Sequence, residues 1–497
     1  MNWVEIKNVQ SISLNEIPCL PIGDARSQVL GKIKDGQRLV HLFADPEADG
    51  IILYCVMADD NTSRLSVASV HMQPRSTYQS WTPEVPSAAI FERELFEQTG
   101  IIPEGHPWLK PLRSGIAGID PSESKYDFFH MTGEEIHEVG VGPIHAGVIE
   151  PGHFRFSCHG EKVFHLEIEL GFQHRGIESL LLKHKNRPVY LEKLSESIAG
   201  DTVIGHCGTF VRALESAASL VVSRRSKAIR AIALELERIA NHLGDLSALS
   251  GDVAYLTGNA VFGALRTKVI NTTMALSGNR FGRGWLALGG VRADISSQGE
   301  EKILSMVQTL EEDVLLAGEV LFSSASVLER FEKTGIVEKD VAREIGMVGP
   351  AARASGVAID VRSDHPSGAY EFFPVHKLTM ESGDVFARAY IRFVEIQQSI
   401  KIIRDQVKNF TGTGEKLSQD INALQPNRFV VSLTEGWRGE IAHILLTDRN
   451  GEIKRLKIKD PSFNNWLALA LAVRDEGISD FPLCNKSFNL SYCGADL

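Results

Sequence analysis

The sequence predicts an α+β protein: a small N-terminal α+β domain followed by a mainly helical domain with peripheral β strands. Three features carry this. Residues 36–72 contain the runs LVHLF, IILYCVM and RLSVASVHM, separated by the turn-rich connectors ADPEADG and ADDNTS, which reads as an antiparallel meander. Between Pro188 and Pro350 there is no proline, as expected where long helices dominate. Within that stretch Ile229, Ile232, Leu236, Ile239, Leu243 and Leu246 recur at steps of three and four, a continuous apolar stripe on a helix near 227–246.

The remaining elements follow in order. After the meander, AAIFERELFEQTG places Ile90, Leu95 and Phe96 on a rough common face, with Gly100 as a stop signal, so a short helix is expected. From Leu109 to about Glu135 the chain turns irregular, which sets a first domain at 1–115, a linker at 116–135 and a second domain at 136–497. Val139 to Ile168 alternates like strands, and 303–331 and 385–407 read as further long helices of a bundle. A last strand pair, RFVVSLT and AHILLTD, ends near a turn at Asn450 and Gly451. The terminal DFPLCNKSFNLSYCGADL is rich in packing residues and is expected to tuck into the core rather than fray.

Composition narrows the function. The 497 residues are 43% hydrophobic and 23% charged, the balance of a globular chain. With 52 Lys plus Arg against 63 Asp plus Glu, the net charge of −11 argues against a nucleic-acid binder working through a general basic field. Six scattered cysteines form no disulfide framework, so a reducing compartment is expected. The start MNWVEIKNVQ does not read as an export signal, and no stretch approaches the roughly 18 apolar residues of a membrane span. If the chain works at a membrane, other subunits hold it there.

Standard catalytic devices are missing: there is no GxxxxGK[ST] loop, HExxH helix, GxSxG elbow or CxxC pair. What stands out are dense polar clusters: GPIHAGVIEPGHFRF, GFQHRGIESL, ELERIANHLGDL, GPAARASGVAIDVRSDHP, EGWRGE and DPSFNNW. Over 136–497 this arrangement resembles the large subunit of group 4 membrane-bound [NiFe] hydrogenases, such as formate hydrogenlyase, and the D subunit of proton-pumping NADH:quinone oxidoreductase. FERELFEQTGI followed by GHPWLKPLR resembles the C subunit of the latter, so the whole chain looks like a C–D fusion.

The resemblance breaks at the metal site. In the hydrogenases, cysteines in an RxCGxC and a DPCxxC motif hold nickel and iron. Here SESIAGDT puts Ala199 and Thr202 in the first two slots, and NLSYCGADL puts Ser491 and Gly494 in the second two. Neither a methyl group nor a neutral hydroxyl replaces a thiolate, so no [NiFe] centre is expected, although Cys493 and Cys207 lie near the slots and leave a displaced thiol ligand open. The complex I branch implies a quinone cleft formed by a His in GPxH and a Tyr in the first-motif loop. His145 matches the first, whereas Gly200 stands where the Tyr would be.

By the same resemblance Glu178 in HRGIES matches a proton-transferring carboxylate, and a structural ion pair explains it equally well. Arg353, Asp360, Arg362, Asp364 and His365 form a charged loop expected beside the cleft, and Arg438, Glu440 and Asp460 look like interface or cleft-floor residues. Glu235 and His242 fall on nearly one helical face and could line a proton path into the bundle, with a satisfied core histidine as the simpler reading, and Asp384 and Arg388 are expected to pair across one turn. The resemblance implies a redox subunit with no prosthetic group of its own. It would be docked to an iron–sulfur small subunit carrying a [4Fe-4S] cluster and to antiporter-like membrane subunits, on the cytoplasmic side of the membrane. A scaffold that keeps the fold without chemistry is the alternative.

Overall fold

The computed structural model describes residues 3–113, 127–147, 149–409, 415–421 and 423–497; residues 116–126 of the expected linker lie outside them. The meander forms as expected, with Arg38–Glu47, Gly50–Asp59 and Arg64–Met72 pairing antiparallel and Val4–Ile6 adding a fourth strand. The period of two sorts its side chains. Leu53, Cys55 and Met57 pack with Val29 and Phe91 of the helices Ile22–Lys34 and Ala89–Thr99, while Tyr54, Val56 and Ala58 face the other way. Gly100 ends the second helix in the left-handed conformation at φ 69°.

The outward face of that sheet is not solvent-facing. It packs on a second four-stranded sheet, where Phe429, Val431, Leu433, Ala442, Ile444 and Leu446 complete one apolar layer with Val40, Phe43 and Val67. The N-terminal strand Ser11–Ser13 pairs with Arg428–Gly436, so the two ends of the chain share a sheet. The second sheet holds a strand beyond the expected pair, Ile453–Lys459. Its sequence IKRLKIK hides the strand, because Lys457 and Lys459 are buried at its end and neutralised by Glu94 and Glu440.

The helical part is built on Val203–Ala217, Arg224–Asp252, Leu256–Ser277, Ser297–Ser323 and Val385–Lys408, and the predicted stripe from Ile229 to Leu246 is fully buried. The helix expected over 303–331 is two helices, because Ser324 takes an extended conformation (ψ 111°) and starts Ala325–Phe331 at a new angle. Asp384 and Arg388 do not pair: Asp384 caps the helix by accepting from Ala387 N at 2.8 Å, and Arg388 donates to Gly383 O, Gly335 O and Ser487 Oγ. The terminal segment is buried from Leu490 to Leu497. Among the described residues no helix is long and apolar enough to cross a membrane.

Candidate functional site

The first-motif loop ends at the start of the helix Val203–Ala217, and the C-terminal segment lies against it. Two arginines bind them together. Arg175 donates to Ser197 O at 2.7 Å, Ile198 O at 2.8 Å and Cys493 O at 3.3 Å. Arg438 stacks on Trp437 with its guanidinium 3.9 Å from the ring centre. It forks onto Asp201 at 2.5 and 2.7 Å and donates to Thr202 Oγ1 and Asn489 O. Asp496 fixes the end by accepting from Gly171 N and Gln173 N.

The four slot residues meet here. Ala199 is buried, Thr202 Oγ1 accepts from Trp437 Nε1 at 3.1 Å, and Ser491 Oγ accepts from Gly494 N at 2.9 Å. A Cβ on Gly494 would stand 2.7 Å from Asp460 Cγ and 2.9 Å from Ser491 Oγ, closer than side chains approach. Cys493 Sγ lies 3.4 Å from Ser491 Oγ, beside Glu150, and burial pushes its thiol up to about 11. Burial likewise raises Cys207 to about 12, so neither sulfur is a thiolate at neutral pH. Among the described residues no three His, Cys, Asp or Glu converge as a metal site. This set does not fit a nickel–iron centre.

His145 lies in the hairpin next to this junction, where Phe154 touches both its ring and Tyr492. Its Nε2 donates to Gly152 O at 2.9 Å, and Gly200 carries no hydroxyl, so as arranged the pair offers no two-point grip on a quinone head group. Glu178 is elsewhere. It accepts from Ile458 N at 2.9 Å and pairs with Lys457 at 3.1 Å, a lysine shared with Glu94. His365 bonds Asp60 at 2.9 Å, which Arg38 links to Glu440, so it belongs to the contact with the N-terminal sheet.

Arg353 and Asp360 enter a buried polar seam. Arg362 joins Glu235 at 3.0 Å to Asp360 at 2.7 Å, and Arg353 joins Asp360, Glu435 and Glu395 at 3.8, 2.8 and 2.7 Å. Glu395 also accepts from Arg238 at 2.5 Å and His242 at 3.0 Å. On the His242 helix, Asp245 accepts from Arg392 and from Asn489, the residue whose carbonyl receives Arg438. The helix Arg224–Asp252 thus carries two buried polar clusters, one from Glu235 to His242 and one at Asp245 that reaches the junction through Asn489. Burial pushes Glu435 up to about 7 despite Arg353, whereas Glu395, which burial alone would raise, is held well below the carboxylate range by Arg353 and Arg238.

Two comparisons of sequence place the chain among known proteins. Residues 252–431 match the model of the respiratory-chain NADH dehydrogenase 49 Kd subunit, and residues 30–115 match that of the 30 Kd subunit. The carbon monoxide-induced hydrogenase of Rhodospirillum rubrum is 31% identical over 357 residues, covering 71% of this chain and 97% of that protein. The chain belongs to this family of hydrogenase large subunits and 49 kDa subunits. Formate hydrogenlyase subunit 5 of Escherichia coli (strain K12) is 29% identical over 442 residues, 84% of this chain and 77% of that protein. In fold the chain is similar to a subunit in the structure of the membrane-bound sulfane sulfur reductase, an archaeal respiratory membrane complex, with a TM-score of 0.68 and 24% identity over 74% of this chain and 100% of that one.

Several residues of this family member's junction escaped the sequence reading. Asp201, inside the first-motif segment SESIAGDT, and Glu150, inside the polar cluster GPIHAGVIEPGHFRF, carried a signal in their position. His206 donates from Nε2 to Asp460 at 2.9 Å and accepts at Nδ1 from His443 at 3.2 Å, with both rings fully buried. Burial lowers His443 strongly, so it is neutral. Nothing in AHILLTD marked it. Glu237 accepts from Ile204 N and Gly205 N at the start of the 203–217 helix, and burial pushes it up to about 8.

Proposed function

We propose that this chain is the large subunit of a membrane-associated redox complex of the hydrogenase and complex I type, contributing a proton-handling interior rather than a metal. Residues 1–115 act as the C-like unit and 136–497 as the D-like unit. Electrons travel in a partner, an iron–sulfur small subunit with a [4Fe-4S] cluster, and ion movement occurs in antiporter-like membrane subunits, with this chain peripheral on the cytoplasmic side.

The observation that carries this reading is the buried cluster in which Glu235, Arg362, Asp360, Arg353, Glu395 and His242 touch in sequence and Glu435, held by Arg353, is pushed up to about 7. Arg353 and Asp360 lie within it. His145, Glu178 and His365 are taken as positioning residues, since each is tied to backbone or to an ion pair. The test is Glu435→Gln in the assembled complex. Turnover falling at least tenfold with assembly intact supports proton handling. Unchanged turnover and coupling overturn it and leave the scaffold reading, which the Arg438–Asp201 fork across the junction favours.

A further inference from the structure

Away from the junction, a cavity of about 500 Å³ opens between the N-terminal segment at Asn8, the 203–217 helix, the start of the 224–252 helix and the loop at 367–371. Its charged lining is Arg212, Lys227 and Arg230 with the carboxylates Glu215 and Glu371. Arg230 is satisfied, forking onto Glu215 at 2.9 and 2.5 Å. Arg212 is not: its Nη2 donates to the Thr434 hydroxyl, its Nε has no partner, and among the described residues it makes no ion pair. Burial, then repulsion from Arg230, lowers its pKa to about 10. A guanidinium in that position is costly without an anion.

The helix beginning at Arg224 deepens the imbalance. Arg224 and Lys227 stand three apart in its first turn, where the helix dipole and their mutual repulsion both disfavour cations, and neither has an ion-pair partner among the described residues. Lys227, Gly368 and Ala369 also line a second chamber of about 190 Å³, so the two are neighbours across these residues. This annex is different in kind. Phe372, 68% exposed, and Phe373 wall it, and Gln406, only 2% exposed, lines it with an amide Nε2 that has no partner. An unpaired buried amide N–H calls for an acceptor.

We propose that this double chamber binds a nucleoside phosphate. The phosphate lies between Arg212 and Lys227, and the base lies against Phe372 and Phe373 with a ring nitrogen or carbonyl accepting from Gln406 Nε2. The size is in the range of small-molecule sites. The site is separate from the junction, although the helix that carries Arg212 begins beside Thr202.

Titration calorimetry on the full chain with AMP, UMP and inorganic phosphate tests this. One nucleotide binds per chain, at least tenfold tighter than phosphate. Arg212→Gln and Lys227→Gln each weaken it tenfold or more, and Gln406→Leu weakens the nucleotide at least fivefold while leaving phosphate unchanged. Thermal melts of each variant check folding, and removing a partly buried cation that makes no ion pair among the described residues is expected to keep or raise the melting temperature. Absence of saturable nucleotide binding, or nucleotide binding no tighter than phosphate and indifferent to Gln406→Leu, overturns the proposal.

Discussion

Arg438 grips Asp201 through two parallel hydrogen bonds, and the same guanidinium holds the Asn489 carbonyl, so one side chain closes the space between the two motifs. In this family member the junction is a hydrogen-bonded seal. Asp201 is 39% exposed, so solvent screens its share of the pair. Arg438→Ala is therefore expected to cost about 2 kcal/mol, mostly from the Asn489 carbonyl that loses its donor. Lysine restores little, because it lacks the planar fork. Denaturant midpoints check the first claim, and faster proteolysis after residue 480 checks that the terminal segment has loosened.

Gly494 has no room for a side chain beside Asp460 and Ser491. Gly494→Ala is expected to destabilise by about 1–3 kcal/mol through overpacking. The fourfold replacement of Ala199, Thr202, Ser491 and Gly494 by cysteine is expected to bind no stoichiometric nickel. Elemental analysis of that variant decides, and one nickel per chain would show that the junction can still open around a metal.

Glu395 neutralises Arg353 and Arg238 and accepts from His242, all of them buried. Removing it takes one carboxylate from two buried guanidinium groups, leaving Arg353 to Glu435 and Asp360 and Arg238 to Glu235 at 3.5 Å. Glu395→Ala should cost about 3–5 kcal/mol, and Glu395→Gln a large part of that, since the charge rather than the shape is lost. Urea unfolding of both variants measures the difference.

Glu435 gives the pH dependence. Its folded pKa, pushed up to about 7 from an ordinary value of 4.5, means that the native state holds a proton that the unfolded chain releases. The associated stability is complete below about 4.5 and is lost as pH rises through 7. Glu435→Gln stays neutral throughout, so its stability relative to the native protein should climb between pH 5 and 8. Parallel unfolding curves at pH 5, 6, 7 and 8 test this, and a constant gap would show that Glu435 is already ionised at pH 5.

The periodicities in the chain determined much of the architecture. Alternation marked the meander of 38–72, and the stripe from Ile229 to Leu246 marked the central helix, because both are local patterns repeated along one face. The resemblance of the polar clusters also located the two motifs. Which charges are structural was another matter. The charges of IKRLKIK hid the strand Ile453–Lys459, and the partners of Glu178 and His365 could not be named, until the fold supplied Glu94, Glu440, Lys457 and Asp60 from distant segments. A pattern along the chain can reveal which face turns inward, since that depends on neighbours three or four residues away. Whether a buried charge is neutralised depends on a partner hundreds of residues off, and only the tertiary structure decides that.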